Sequence, residues 1–335
     1  MRAYLIRRLL LIIPTLLIVT VIVFLSVRFV PGSILDLMVA QMGELSGITD
    51  LDIDYLRHIL GMDVPMHLQY VRWLGVWPQA IDHATAGGQI SGIIQGDFGV
   101  SLWNSESVLQ QLMQRLPVSL ELGAMSLIIA WLIALPIGVF SAIRQDTWGD
   151  YAGRTFAIVA ISVPAFWLGT MVIVYPSILW GWTPPVVYIP LADNVGENLL
   201  QFLLPAAIMG MVISGTTMRM TRTMMLEVLR QDYIRTAWSK GLRERTIIIR
   251  HAMKNALIPV ITIVGGMIPL LIGGTVIIEQ IFTLPGVGRL LFNALTRRDY
   301  PVISGINVII ALVVLIMNVV VDLAYGWLDP RIQYR

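Results

Sequence analysis

Six long apolar runs constrain this chain more than any other feature of its sequence. Each is long enough to cross a hydrocarbon core, which takes about 20 apolar residues in a helix. Because backbone polar groups in lipid must be satisfied within the segment, each run is predicted to be a helix. The predicted spans are 9–30, 117–143, 155–181, 199–218, 255–278 and 302–321. Only 13% of the residues are charged, against about 25% in soluble domains, which indicates an all-α polytopic membrane protein.

Lysine and arginine are distributed unevenly between the two sides of the predicted bundle. Cytoplasmic loops carry an excess of these residues. They occur before the first span, between the second and third, in the polar segment 219–254, and after the sixth. With six spans these four regions share one face, so both termini are predicted to be cytoplasmic. The first apolar run exceeds a signal-peptide core of about 7–15 residues, so we interpret it as a retained span.

Charge and span positions together predict three parts of the chain. Residues 1–30 form an N-terminal transmembrane helix, and residues 31–116 form a mainly acidic extracytoplasmic loop subdomain. Residues 117–335 form a five-helix core. The basic interruption at 219–254 belongs to this core and lies on the predicted cytoplasmic side.

The sequence carries none of the common signatures of catalysis. The absence of cysteine excludes thiolate metal sites and cysteine nucleophiles. There is no phosphate-binding P-loop, and no span has a histidine or paired carboxylates at its middle, as a proton relay would need. Glu121, Glu279 and Asp322 lie near span ends, where a helix-end partner is the simpler role. We predict no catalytic residue, no metal site, no cofactor in this chain and no nucleic-acid partner.

A short helix is predicted within the segment 219–254. Asp232 is a suitable N-cap and Gly241 a suitable C′ residue, about two turns apart. Tyr233, Ala237 and Gly241 recur every four residues, so they share one face, with an aromatic knob beside a shallow notch. So short a helix is marginal alone in water and must pack on its own bundle or on another protein. The pattern alone leaves a solvated loop equally open.

At this point the sequence resembles a known family. Ala237-x-x-x-Gly241 is similar to the Glu-Ala-Ala-x-x-x-Gly loop of ABC importer permease subunits, although Arg235 and Thr236 replace its Glu and first Ala. Longer strings resemble the dipeptide/oligopeptide branch of these permeases. They are Asp232-Tyr233-Ile234-Arg235-Thr236-Ala237-x-x-Lys240-Gly241-Leu242, His251-Ala252-x-x-Asn255-Ala256-Leu257-Ile258-Pro259, Glu279-x-Ile281-Phe282-x-x-Pro285-Gly286-x-Gly288 and Asp329-Pro330-Arg331. Together with Tyr4-Leu5-Ile6-Arg7-Arg8 and Gly96-Asp97-Phe98-Gly99-x-Ser101, which resemble the first span and outer loop of that branch, the ordered set covers nearly the whole chain.

This resemblance implies a type I ABC importer permease in the cytoplasmic (inner) membrane, surrounded by lipid. It implies a second homologous permease subunit, two ATPase subunits that hold ATP and Mg, and an extracytoplasmic substrate-binding protein. Di- or oligopeptides are the implied substrates, and nickel or oligosaccharides are the alternatives within the same class. The implied ATPase-docking residues are Asp232, Tyr233, Arg235, Thr236, Ala237, Trp238, Lys240, Gly241 and Leu242.

Small polar residues and proline in the third and fourth spans are candidates for lining the translocation pathway. Such residues can break or soften a span, and they often face a bundle interior. Simple helix–helix packing is the alternative role. The candidates are Ser162, Pro164, Ser214 and Thr217.

Three arginines lie on the predicted extracytoplasmic side of the membrane, contrary to the positive-inside rule. Arg289, Arg297 and Arg298 are therefore candidates for contacting acidic groups of the binding protein. Pairing within the subunit, for example with Asp299, is the alternative. A secondary transporter would instead show inverted repeats and midplane ion ligands, and neither is found in the sequence. An intramembrane enzyme lacks its catalytic residues, and a passive scaffold would need no ATPase partner.

Overall fold

The structure, a computed structural model, describes residues 2–29, 64–78 and 90–328. The predicted outer-loop stretches 31–63 and 79–89 and the C-terminal motif at 329–331 lie outside these ranges. Within them the chain is helical, apart from loops and one isolated bridge between Val100 and Ser107. The predicted all-α class is confirmed.

Ten helices account for most of the described residues. They are α1 (Arg2–Arg28), α2 (Met66–Leu74), α3 (Val108–Ile143), α4 (Trp148–Ser162), α5 (Ala165–Trp180), α6 (Val195–Leu229), α7 (Asp232–Ser239), α8 (Met253–Ile281), α9 (Val287–Arg297) and α10 (Tyr300–Leu328). A helical turn at Glu244–Thr246 and a π-helical stretch at Ile247–Ala252 lead into α8 without a break in helical backbone.

Five segments of the described chain are long and apolar enough to cross a membrane. They are Leu10–Arg28, Val108–Ile143, Val195–Leu229, Glu244–Met267 and Tyr300–Leu323. The pair α4 and α5 passes the same test together and gives a sixth candidate, but it bends by 91°. The span predicted over 155–181 therefore consists of two helices and not one. Val163 and Pro164 have extended backbones at the break, because proline disfavours a helical conformation at the residue before it.

The chain divides into two compact units, which differ from the three predicted parts. The first comprises Met1–Leu9, Arg115–Arg289 and Val313–Arg335, and the second comprises Leu10–Gln114 and Leu290–Leu312. In the second unit, α1 packs against α2 through Phe24, whose ring lies 5.4 Å from that of Tyr70. The Tyr70 hydroxyl also shares a 3.0 Å hydrogen bond with Thr20.

Helix α6 is at the centre of the first unit. Its residues Phe202 and Ala206 are fully buried with Leu122 of α3 and Ile278 of α8. Small residues permit the closest helix approaches, as is common in membrane proteins. A Cβ atom at Gly215 of α6 would lie 2.8 Å from the carbonyl oxygen of Ala157 in α4.

Replacing Gly215 should therefore destabilise the first unit. We expect Gly215→Ala to cost about 2 kcal/mol, because a well-packed interface must move to admit the methyl group. The measurement is the midpoint of thermal unfolding in detergent, monitored by tryptophan fluorescence. Gly123→Ala is the matched control, since a Cβ atom at that position of α3 meets nothing within 4 Å. Equal midpoints for the two variants would contradict this account of the packing.

Candidate functional site

Helix α7 packs one face against its own subunit. Ile234 and Ala237 are buried among apolar residues of three other segments. These residues are Ala142 of α3, Met225 of α6, and Ile247, Ala252 and Ala256 in or just after the π-helical stretch that leads into α8. A helix of eight residues is unstable alone, so this packing is what holds α7 in place.

The two ends of α7 differ in how they are capped. The prediction that Asp232 is the N-cap is wrong, because Gln231 occupies that position and Asp232 is the first helical residue. A carboxylate there still interacts favourably with the positive end of the helix. Gly241 is at C′ with φ +71°, as predicted. Its N–H bonds to the Trp238 carbonyl at 2.9 Å and the Leu242 N–H to the Ala237 carbonyl at 3.4 Å, which is a Schellman motif.

The predicted face of Tyr233, Ala237 and Gly241 does not form one surface for a partner. Ala237 is only 7% exposed, because its small side chain is buried in the apolar cluster described above. This corrects the expectation that Ala237 forms a notch open to another protein. Gly241 is exposed, and its role is to end the helix.

Tyr233 ties α7 to the beginning of α8. The Asn255 amide donates to the Tyr233 hydroxyl oxygen at 2.8 Å and to the His251 carbonyl at 3.4 Å. The Tyr233 hydroxyl itself lies 3.5 Å from that carbonyl and can donate to it. His251 is in the π-helical stretch, a feature often found at functional sites. The two sequence motifs around Tyr233 and Asn255 are thus joined by a direct contact.

The opposite side of α7 is open, and we call it the outer face of α7. It consists of Asp232, Arg235, Thr236, Trp238, Lys240 and Leu242. Trp238 is 48% exposed and Leu242 is 38% exposed. Arg235 and Asp232 form a weak, exposed ion pair at 3.5 Å. An exposed tryptophan beside basic side chains is typical of a protein-binding surface, where Trp and Arg are enriched.

The four pathway candidates fall into two groups. Ser214 and Thr217 are fully buried inside the first unit, and their hydroxyls donate to the carbonyls of Met211 and Ile213 on their own helix. Their burial favours the alternative role in helix packing, and their assignment to the pathway stays a prediction. Ser162 and Pro164 are exposed at the break between α4 and α5, and their assignment stays a prediction.

The three arginines predicted on the extracytoplasmic side also differ from one another in their contacts. The Arg289 guanidinium donates to the Thr283 carbonyl at 2.7 Å, so it bonds within its own loop. The carbonyl of Arg297, whose side chain is exposed, accepts from the Trp103 ring N–H at 3.0 Å. Arg298 is half-buried with φ +53°. The carboxylate of Asp299, the predicted partner, accepts from the Ser101 hydroxyl and the Leu102 amide. Contact with a binding protein stays a prediction for these arginines.

A buried carboxylate organises the start of α9. Glu279 is fully buried, and it accepts from the Ser119 hydroxyl at 2.6 Å and the Arg289 N–H at 2.8 Å. The Ser119 oxygen in turn accepts from the Val287 N–H at 2.8 Å. These bonds satisfy N–H groups that a helix start leaves without an internal partner. A side chain at Gly286 would overlap the carboxylate, which explains why a glycine stands there.

Sequence reasoning placed Glu279 at a span end but missed this arrangement. The available signal was the spacing of Glu279 from Gly286 and Gly288, since glycines near an acidic residue permit close approach. A Cβ atom at Gly288 would lie 2.6 Å from the Val276 Cα atom, so α9 begins in direct contact with α8.

Comparison with protein families decides the class of this protein. Residues 134–334 match the family model described as "Binding-protein-dependent transport system inner membrane component". A companion model for the N-terminal part matches residues 1–123. The chain belongs to this family. It is thus an inner membrane component of a binding-protein-dependent transport system, in agreement with the resemblance and location predicted from its sequence.

Full-length relatives of this permease come from several bacteria. The oligopeptide transport system permease protein AppB of Bacillus subtilis is 37% identical, with all of both chains covered. A putative peptide transport system permease protein of Brucella abortus is 36% identical and the dipeptide transport system permease protein DppB of Escherichia coli K12 is 34% identical, each over all of both chains. A crystal structure of an amino acid ABC transporter aligns with a TM-score of 0.48 at 13% identity, covering 67% of this permease and 94% of that chain.

The Tyr233 contact makes a prediction about the mobility of α7. Tyr233→Phe removes the acceptor of the Asn255 amide, and one such hydrogen bond contributes about 1 kcal/mol. We expect amide hydrogen exchange over residues 232–242 to become about fivefold faster. Tyr151→Phe, on the exposed side of α4, is the matched control. Unchanged exchange in Tyr233→Phe would show that the apolar face alone holds α7.

The Glu279 contacts make a prediction about the loop before α9. Glu279→Met keeps the side-chain length but removes both acceptor oxygens, and hydrogen bonds to a charged group contribute about 1.5–3 kcal/mol. Exchange of the Arg289 amide, which loses its acceptor, should therefore accelerate by roughly a hundredfold. Gln280→Met is the control, since it makes the same kind of change one residue along. Equal exchange rates in Glu279→Met and Gln280→Met would contradict the assigned role of the Glu279 carboxylate.

Proposed function

We propose that this permease is a subunit of an ATP-driven importer of di- or oligopeptides. The observation that carries the proposal is the set of full-length relatives at 34–37% identity whose names specify oligopeptide, peptide or dipeptide transport. In this proposal a second, homologous permease supplies the other half of the translocation pathway. An extracytoplasmic binding protein delivers the peptide to the side opposite α7.

Two ATPase subunits, holding ATP and Mg, bind the outer face of α7 in this proposal. The excess of basic residues around α7 places it on the cytoplasmic side by the positive-inside rule, where ATP is available. The exposed Trp238 and Leu242 supply apolar area, and Arg235 and Lys240 supply charge for a partner. The opposite face of α7 is buried, so a partner that binds here can move the bundle instead of only displacing a loop.

The proposed coupling is a shift between two arrangements of the bundle. ATP binding closes the ATPase pair and draws the two docking helices together, which opens the pathway outward. A ligand shifts such an equilibrium only by its differential affinity for the two states. Helix α7 must therefore move as a rigid element, and its Schellman cap and the Tyr233–Asn255 contact support that role.

Transport by the reconstituted complex tests the substrate class. Proteoliposomes containing both permeases and both ATPases are supplied with ATP, the cognate binding protein and tritiated di-, tri- or tetra-alanine. We expect ATP-dependent accumulation of at least one of these peptides. Accumulation of nickel or an oligosaccharide instead, with none of the three peptides, would overturn the assignment to peptides.

A substitution on the outer face of α7 tests the docking assignment. Trp238→Ala removes the largest exposed side chain of that face, and aromatic residues at the centre of an interface often contribute about 2 kcal/mol or more. The measurement is the affinity of detergent-solubilised permeases for their ATPase subunits, which should fall by about tenfold or more. Trp148→Ala is the control, because Trp148 is 90% exposed at the start of α4. Equal affinities in both variants would locate the ATPase elsewhere.

A further inference from the structure

Helix α4 and helix α6 are joined by a buried ion pair that no part of the docking account uses. Asp150 of α4 is fully buried. The Arg222 guanidinium of α6 donates to both of its carboxylate oxygens, with Nε at 2.7 Å from one and Nη2 at 2.8 Å from the other. Such a bidentate pair fixes the orientation of both side chains as well as their separation.

The surroundings of Asp150 favour its charged form. The Asp146 N–H donates to the second carboxylate oxygen at 3.1 Å, and Arg154 lies 3.6 Å from the first. Asp150 is also in the first turn of α4, where a negative charge interacts favourably with the helix dipole. These donors compensate the charge of the buried carboxylate, which would be costly if it were unpaired.

The pair joins the end of α6 that leads to α7 to the first turn of α4. Arg222 is in the last two turns of α6, which ends at Leu229, three residues before α7 begins. Next to it, Ala157 of α4 and Met218 of α6 are buried in one apolar cluster with Ala134 of α3, and all three side chains are small or flexible. Flat apolar contacts of this kind can slide, whereas a bidentate ion pair resists sliding because both bonds depend on direction.

We propose that Asp150 and Arg222 are positioning residues that carry the movement of α7 and α6 to α4, and through it to the break at Ser162–Pro164. This rests on the proposed function, since it concerns how ATP-driven movement at α7 reaches the helices of the pathway. When α6 moves, the ion pair makes α4 move with it. Without the pair, α6 moves and α4 lags behind, so ATP is hydrolysed without transport.

The decisive variant is the double substitution Asp150→Asn with Arg222→Met. Either single change leaves a buried charge without its partner and is expected to reduce the yield of intact complex. The double variant removes both charges of the bidentate pair. Arg154 loses its neighbour Asp150, but its side chain is 38% exposed and stays in contact with water, so assembly and thermal midpoint should be close to those of the parent. A residue pair needed only for stability would then show no further defect.

The measurement is the number of ATP molecules hydrolysed per peptide imported by the reconstituted complex. Tri-alanine is the probe, or di- or tetra-alanine if the parent complex prefers it. We expect the ratio to rise about tenfold in the double variant, with ATP hydrolysis near the parent rate, because allosteric coupling of this kind ranges from about 5-fold to 150-fold. Arg222→Lys, which keeps the charge and loses the bidentate geometry, should give an intermediate ratio.

The matched control is Asp193→Asn with Arg144→Met, which makes the same two changes at exposed positions outside the ion-pair arrangement. Its ratio should equal that of the parent. The inference is overturned if the double variant keeps the parent ratio, or if hydrolysis and transport fall together in equal proportion. If the double variant does not assemble, the Arg222→Lys ratio decides, and a parent value there overturns the inference. A parent complex that imports no alanine peptide counts against the proposed function, which this design separates from the inference.

Discussion

A charge removed from water needs compensating groups within reach, and this requirement fixes the contacts of Asp150 and Glu279. Both carboxylates are fully buried, and both are satisfied by donors from a second helix or a neighbouring loop. Asp150 accepts hydrogen bonds from the Arg222 guanidinium, whereas Glu279 accepts them from the Ser119 hydroxyl and from the Arg289 N–H at the start of α9. Elsewhere α6 packs closely through glycines such as Gly210 and Gly215, where its neighbours come nearest. Directional bonds thus set the register that apolar packing cannot set.

The sequence was sufficient for the membrane spans and for the existence of α7. Length and hydropathy locate spans well because lipid imposes one requirement on every residue of a span. Gly241 was readable as the end of α7, since few residues other than glycine adopt positive φ easily. The break at Pro164 was readable as a possibility, but its 91° angle depends on the packing of α4 and α5, which sequence does not specify.

What the sequence left undecided is which neighbour each face meets. The spacing of Tyr233 and Ala237 predicted a shared face, and it could not say whether that face meets the bundle or a partner. Ser214 and Thr217 gave a similar difficulty, because a hydroxyl in an apolar helix can bond to its own backbone and pack as an apolar residue does. The role of Glu279 depends on Ser119, which is 160 residues away, and no local pattern joins them.

The π-helical stretch Ile247–Ala252 has a consequence for the relation between docking and the membrane. A π-helical turn contains one residue more than an α-helical turn, and one residue corresponds to about 100° of rotation around a helix. The residues before the stretch follow α7, whose position is fixed by its buried face. The residues after it belong to α8, which buries its own apolar face. The extra residue therefore rotates α8 relative to the helical turn Glu244–Thr246, which follows α7. The orientation of each can then be set by its own contacts although both belong to one continuous helix.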